Sequence, residues 1–318
     1  MTYWPLALAH GATLKTRSRV REVTLSESGR ANGVLYYDDE GQLKHQKASV
    51  VVLACNGIGT PRLLLNSTSG KFPHGLANSS NLVGRNLMLH IVAITAGVFD
   101  EDMEAHKGPH VCSIYSHEFY ETDPSRGFLK GYGLQVLRSS GPVSTSLGGY
   151  GERQIAWGID HHRTMAQISG RECPIAIMGE DIPEQANRIE LHPSLTDSDG
   201  IPAPSVFYAL NNNGRRLLDH GIDRATEALL SAGATDIKAT PLARYGTGHQ
   251  MGTAKMGNDP SSSVVDRRGR CHDIDNLLII DGSIFVTAAA VNPTSTIQAL
   301  ALYIANSLKN SARSIPST

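Results

Sequence analysis

The sequence predicts an α/β protein in two parts: an incomplete Rossmann-like, nucleotide-binding portion and a mostly antiparallel α+β portion set into it. Three observations predict this. SVVVLA at 49–54 is a continuous apolar run that enters a glycine-rich turn and then a helix start. A second short apolar strand, NLLIID at 276–281, is followed by an apolar helical stretch, IQALALYIANSL at 297–308. Between them, residues 91–239 give short strand-like pieces broken by clusters of Gly, Pro and Ser.

Taken in order, RVREVTL at 19–25 and GVLYYD at 33–38 flank the turn-rich 26–32, which predicts a hairpin. SVVVLA is β-branched and apolar almost throughout, the pattern of a strand buried on both faces. Thr60 and Pro61 then stand as N-cap and first residue of a helix through Leu63, Leu64 and Leu65. In the middle, 134–137, 154–157 and 188–191 read as strands. Leu218, Ile222, Ala225 and Leu229 recur at helical spacing, with Gly233 near the helix end. The expected organisation is one domain made of 1–90 and 240–308, a second at 91–239, and a polar, frayed tail at 309–318.

Of 318 residues, 40% are hydrophobic and 19% charged, as in a soluble globular protein rather than a disordered one. A formal net charge of -1 gives no electrostatic basis for a nucleic-acid partner. No apolar run approaches the ~20 residues needed to span a bilayer. The start, MTYWPLALAH, lacks the basic region and apolar core of a signal peptide, and cytoplasmic and periplasmic locations both stay open. Cys55, Cys112, Cys173 and Cys271 are far apart with no CxxC spacing, which predicts free thiols rather than a disulfide framework or a zinc site.

Three constellations could carry chemistry. In AVNPTSTIQAL at 290–300, Asn292 stands at an N-cap and Pro293 in the first turn. The amides of Thr294, Ser295 and Thr296 are then free to face an anion. An ordinary capped helix start would look the same. In GHQMGTAKMG at 248–257, His249 lies on a glycine-flanked loop, where an imidazole can abstract a proton near neutral pH or simply satisfy loop carbonyls. Asp281-Gly282-Ser283 follows the NLLII strand, where a glycine lets the backbone approach a pyrophosphate, or merely makes a turn.

In this order, VVLACNGIGTPRLLLNS, NLVGRNLMLH and the long block from His249 to Ala305 resemble the glucose-methanol-choline (GMC) family of FAD-dependent oxidoreductases. Within that family they look most like the bacterial gluconate 2-dehydrogenase large-subunit type, whose electrons leave through partner cytochromes. The resemblance implies FAD as cofactor and an alcohol as substrate: a sugar, polyol or related hydroxy compound. It implies His249 as the base that takes the hydroxyl proton while hydride passes to flavin N5, and Asn292 as the donor to the developing alkoxide. It also implies contacts from Val20 to the adenine, from Ala54, Cys55 and Gly57 to the adenosine ribose, from Asp281 and Gly282 to the ribityl-pyrophosphate, and from Pro293 and Thr294 to the isoalloxazine. His90, in the segment resembling a lid near the flavin, is read as structural, and His161 and His162 are assigned nothing. Oxygen, a quinone or a cytochrome would reoxidise the flavin.

The family pattern opens with a strand, G-x-G-x-x-G and a helix. Here Gly57-Ile58-Gly59 meets Arg62 where the third glycine would stand, and no complete fingerprint occurs in the chain. The match is therefore to the carboxy-terminal portion of the family, and the strands at 51–54 and 277–280 are expected to have unpaired edges beside exposed apolar faces. A truncated gene model is the favoured explanation, against an expressed fragment or one half of a split protein. Two functions follow: an FAD-dependent alcohol oxidoreductase, or a catalytically silent remnant or complementing subunit. An NAD-dependent dehydrogenase would need the same missing fingerprint and ranks last.

Overall fold

The computed structural model describes residues 2–108, 112–243 and 248–313. After a short helix with no buried residue, α1 (Tyr3–Ala9), come β1 (Arg19–Leu25), β2 (Ala31–Tyr37) and β3 (Leu43–Lys47), an antiparallel sheet in that order. The hairpin is as expected from its alternation. The third strand, LKHQK, is exposed at every position and so carries no apolar pattern to read. Its register follows from the turn, where Asp38 Oδ1 accepts from the amides of Glu40 and Gln42.

β4 (Val51–Leu53) pairs in parallel with β12 (Leu277–Ile279), Val51 opposite Leu277. Among the described residues these two strands pair only with each other. Val51 and Leu53 enter the core, but Val52 is 42% exposed, so burial on both faces does not hold for it. The open edges expected from the sequence are present.

The following helix, α2 (Asn56–Asn66), starts earlier than expected, with Cys55 at its N-cap and Pro61 in its interior. Pro61 lacks the N–H that would bond the Gly57 carbonyl one turn back. Thr253 supplies the missing donor, its Oγ1 lying 2.8 Å from Gly57 O. Thr60, rather than capping, donates its hydroxyl to Asp281 Oδ2 at 2.5 Å.

Five antiparallel strands form the second sheet, in the order β11 (Asp236–Thr240), β5 (Ile91–Val98), β8 (Glu172–Gly179), β7 (Tyr132–Leu137), β6 (Cys112–Ser116). Across it lies α5 (Asn212–Ser231), capped by Asn211, which accepts from the Gly214 amide at 2.8 Å. Its stripe of Leu218, Ala225 and Leu229 is buried with Ile91, Tyr132 and Ile177 of the sheet, which is the amphipathic pattern of the sequence realised. β9 (Arg188–Thr196) and β10 (Pro202–Phe207) form a separate ribbon. Two short helices, α3 (Pro142–Ser146) and α4 (Ile159–Ile168), flank residues 154–157, which form no strand. Trp157 there is 89% exposed: the apolar residues of that piece have no sheet edge to join. The last helix, α6 (Thr294–Arg313), runs through 309–313, where a tail was expected; 314–318 lie outside the described residues. The four cysteines are free, and no helix among the described residues is long and apolar enough to cross a membrane.

Candidate active site

The site is assembled by the loop that carries His249. Met88 and Met251 exchange both backbone hydrogen bonds, at 2.9 and 3.0 Å, and their side chains are fully buried together. An antiparallel register with 88 opposite 251 sets 90 opposite 249, on the same face. The imidazoles meet accordingly: His90 Nδ1 and His249 Nδ1 are 2.8 Å apart, with ring planes at 80°.

Burial, and then the neighbouring His249, push the pKa of His90 down to about 4, and burial also lowers that of His249. Both rings are thus neutral near pH 7, and one Nδ1 must donate to the other. The Ala289 carbonyl acts on the His90 ring. His90 Nε2 is buried and has no partner at ordinary hydrogen-bond geometry. A proton on His90 Nε2 is the one the Ala289 carbonyl can stabilise, so His90 Nδ1 accepts and His249 Nδ1–H donates. That tautomer leaves His249 Nε2 with a free lone pair. His90, read from the sequence as structural, therefore touches the candidate base; the pairing of 88 with 251 is not visible along the chain.

Asn292 lies two residues before α6 and does not cap it. Its Oδ1 instead accepts from Gln135 Nε2 of β7 at 2.9 Å. Pro293 is buried, and the Ile297 amide donates to the Pro293 carbonyl at 2.9 Å. The amides of Thr294, Ser295 and Thr296 have no partner within the helix, and those residues are exposed, so the N-terminus of α6 is open to an anion.

Val20 and Cys55 line one cavity of about 520 Å³, with Arg21, Asn56, Ile58 and Gln250. That volume is in the usual range for small-molecule sites, and its mixed apolar and polar walls fit a nucleoside. Ala54 is exposed at the end of β4. Asp281, Gly282 and Gly57 do other work. Asp281 is buried, with Oδ2 accepting from the Asn56 amide and the Thr60 hydroxyl and Oδ1 from the Ser283 amide. Its carboxylate is fully engaged in holding α2 to the strand end. A Cβ on Gly57 or Gly282 would lie 2.7 Å from the backbone of Gln250, so crossing chains, not an approaching pyrophosphate, demand glycine there. A larger cavity of about 970 Å³, bordered by Val98, Arg153 and Asp236, lies at the opposite end of β5 from His90. His161 and His162 are on α4, where His161 stacks on Trp157.

The wall behind His90 has a pH dependence of its own. Buried Asp181 accepts from the Leu89 amide and the Tyr208 hydroxyl, and burial raises its pKa from 3.8 to about 6. The signs oppose. His90 titrates near 6.5 unfolded and about 4 folded, so its stability is present above 6.5 and lost as pH falls toward 4. Asp181 binds its proton more tightly when folded, so it adds stability as pH falls from about 6 to 3.8. Asp181→Asn should remove the compensation: relative to the wild type, stability should fall by about 1.4 kcal/mol per pH unit across that window. Urea midpoints from pH 7 to 4 check this, and parallel curves for the two proteins would overturn it.

Two models of the GMC oxidoreductase family match the chain, one over residues 1–92 and the other over 183–301. The chain is 41% identical to the 2-methyl-1,2-propanediol dehydrogenase of Mycolicibacterium austroafricanum, over 95% of this chain and 55% of that protein. It is 30% identical to the fructose dehydrogenase large subunit of Gluconobacter japonicus (94% and 54%) and 25% to the gluconate 2-dehydrogenase flavoprotein of Pantoea cypripedii (93% and 50%). A formate oxidase of Aspergillus oryzae has the same fold, with a TM-score of 0.66 at 16% identity over 93% of this chain and 60% of that one. The chain belongs to the GMC oxidoreductase family, a family of FAD-binding flavoproteins. It spans about half the length of the curated relatives it matches.

Proposed function

We propose that this chain carries the proton-handling half of an FAD-dependent alcohol oxidoreductase, acting on a CH–OH group of a sugar, polyol or related compound. One observation carries the reading: His90 engages Nδ1 of His249 at 2.8 Å, which leaves Nε2 as a neutral base. When bound, the flavin supplies the two-electron acceptor for the hydride of the alcohol carbon. Val20 and Cys55 would border its adenosine, and Pro293 and Thr294 at the start of α6 its ring. His249 Nε2 takes the hydroxyl proton. Asn292, its Oδ1 turned to Gln135, offers Nδ2–H to the oxygen that becomes carbonyl. Atoms balance: the alcohol loses one proton to His249 and one hydride to the flavin and leaves as a ketone or aldehyde. The division into 1–90 with 240–308 and a separate 91–239 is part of this reading, with the five-stranded sheet contributing Gln135. So is a cytochrome or quinone as electron acceptor.

A second reading, a complementing portion without activity of its own, is favoured by the open edge at Val52 and by Leu302 and Tyr303, each about half exposed on α6 (53% and 51%). One measurement separates them: the visible spectrum of the purified chain before and after incubation with FAD. An oxidised-flavin spectrum that bleaches on adding an alcohol supports the first reading. A colourless protein that takes up no flavin overturns it for the chain alone.

A further inference from the structure

We infer that Tyr115 and Gln135 form a positioning pair that sets which end of the Asn292 amide faces the substrate. The inference rests on the reading of Asn292 as the alkoxide donor. An asparagine amide has a donor end and an acceptor end of nearly the same shape, and only its partners decide between them. Asn292 is exposed, so nothing in its own packing makes the choice.

The choice can be traced to a group that has no alternative. Tyr115 Oη donates to the Ala290 carbonyl at 2.7 Å, and a carbonyl oxygen only accepts. The one hydroxyl proton being used there, Tyr115 Oη is left as an acceptor toward Gln135, whose side chain bonds it. Gln135 must therefore present its NH₂ to this corner. The same Nε2 donates its second proton to Asn292 Oδ1 at 2.9 Å. With Oδ1 committed, Nδ2 of Asn292 is the end that turns outward. Gln135 is only 4% exposed, so water does not compete for its amide protons.

A second feature is consistent with a built arrangement. Tyr115 crosses from β6 over Gly133 of β7, and a Cβ at 133 would lie 2.2 Å from the tyrosine hydroxyl. A side chain there would displace the hydroxyl that starts the relay. Sequence reading gives no hint of this: Gln135 is one polar residue in the run YGLQVL, and its partners lie 20 and 157 residues away.

The test is Gln135→Glu beside Tyr115→Phe and Gln135→Leu. A glutamate at 135 only accepts when ionised, so it should draw Nδ2 of Asn292 inward and turn Oδ1 to the substrate. In the flavin-loaded protein Gln135→Glu should lose about 10²–10³-fold in kcat, as for a lost oxyanion donor, with a smaller change in KM. Gln135→Leu and Tyr115→Phe, which remove the bias without reversing it, should lose less. The orientation is read directly in the chain itself by ¹⁵N-asparagine labelling. The Asn292 side-chain amide protons should exchange quickly with water in the wild type and become protected in Gln135→Glu. Unchanged exchange in Gln135→Glu, or equal losses in all three variants tracking their melting temperatures, would overturn the inference and leave Gln135 as packing. If Asn292→Ala itself leaves turnover intact, it is the reading of Asn292 that has failed, not the relay.

Discussion

Replacing His249 with alanine should lower turnover of the flavin-loaded protein by about 10²–10⁴-fold, the range for losing a general base. The effect should fall on kcat more than on KM, because the ring's task is to hold a proton that is transferred only as the alcohol reacts. The geometry sharpens the expectation. Burial lowers the pKa of His249, so the base is free at neutral pH and its acid limb lies below the ordinary histidine range. The rate should accordingly decline only in acid, and His249→Ala should abolish that limb along with the rate. His90 should survive the substitution as a neutral ring, since its own burial already keeps it uncharged. Steady-state rates from pH 5 to 9 for the two proteins make the comparison. Unchanged turnover in the alanine variant would remove His249 from the mechanism.

Asn292 carries the second large effect. Asn292→Ala removes the proposed donor to the alkoxide and should lose about 10²–10³-fold in kcat. It should also destabilise the fold, though not through a helix cap, because α6 begins two residues later. The cost comes from Gln135, whose buried Nε2 would lose its acceptor, a penalty of about 1–3 kcal/mol. Asn292→Asp separates the two effects. A carboxylate still accepts from Gln135, so stability should be kept, but it has no proton to give, so turnover should fall as far as with alanine. Equal stability losses in both variants, or an active aspartate variant, would leave Asn292 a structural residue. Thermal or urea unfolding with kcat on the same preparations decides it.

How much of this was legible beforehand depends on how local each feature is. The first hairpin, the α5 stripe and the β12 strand follow from periodicities within a few residues, and they were readable. So was the association of His249 and Asn292, but only through the order of whole motifs. What escaped is set by contacts distant in sequence. Thr60 and Pro61 look like a helix start, yet the helix begins at Asn56, because Asp281, 225 residues on, accepts from the Asn56 amide and because Thr253 repairs the bond Pro61 omits. Gln154 to Trp157 has the composition of a strand and no edge to pair with. The partnership of His90 with His249 is a matter of register between two chain segments 159 residues apart, which no local pattern encodes.

Both side chains proposed to handle the substrate's oxygen take their orientation, by way of His90 and of Tyr115 with Gln135, from the consecutive carbonyls of Ala289 and Ala290. The alanines themselves contribute no reactive group; Ala290 is 1% exposed and small enough to be enclosed. Chemical identity at the site is thus written partly in main-chain path, where a comparison of side chains finds only three methyl groups in a row. Two consequences are built in. Proton acceptor and proton donor are referenced to one short stretch of backbone, so a shift of that stretch misaligns them together and the machinery fails as a unit. And the informative perturbation at 289 and 290 is one that weakens the carbonyl, such as an ester in place of the following peptide bond, rather than one that changes the residue.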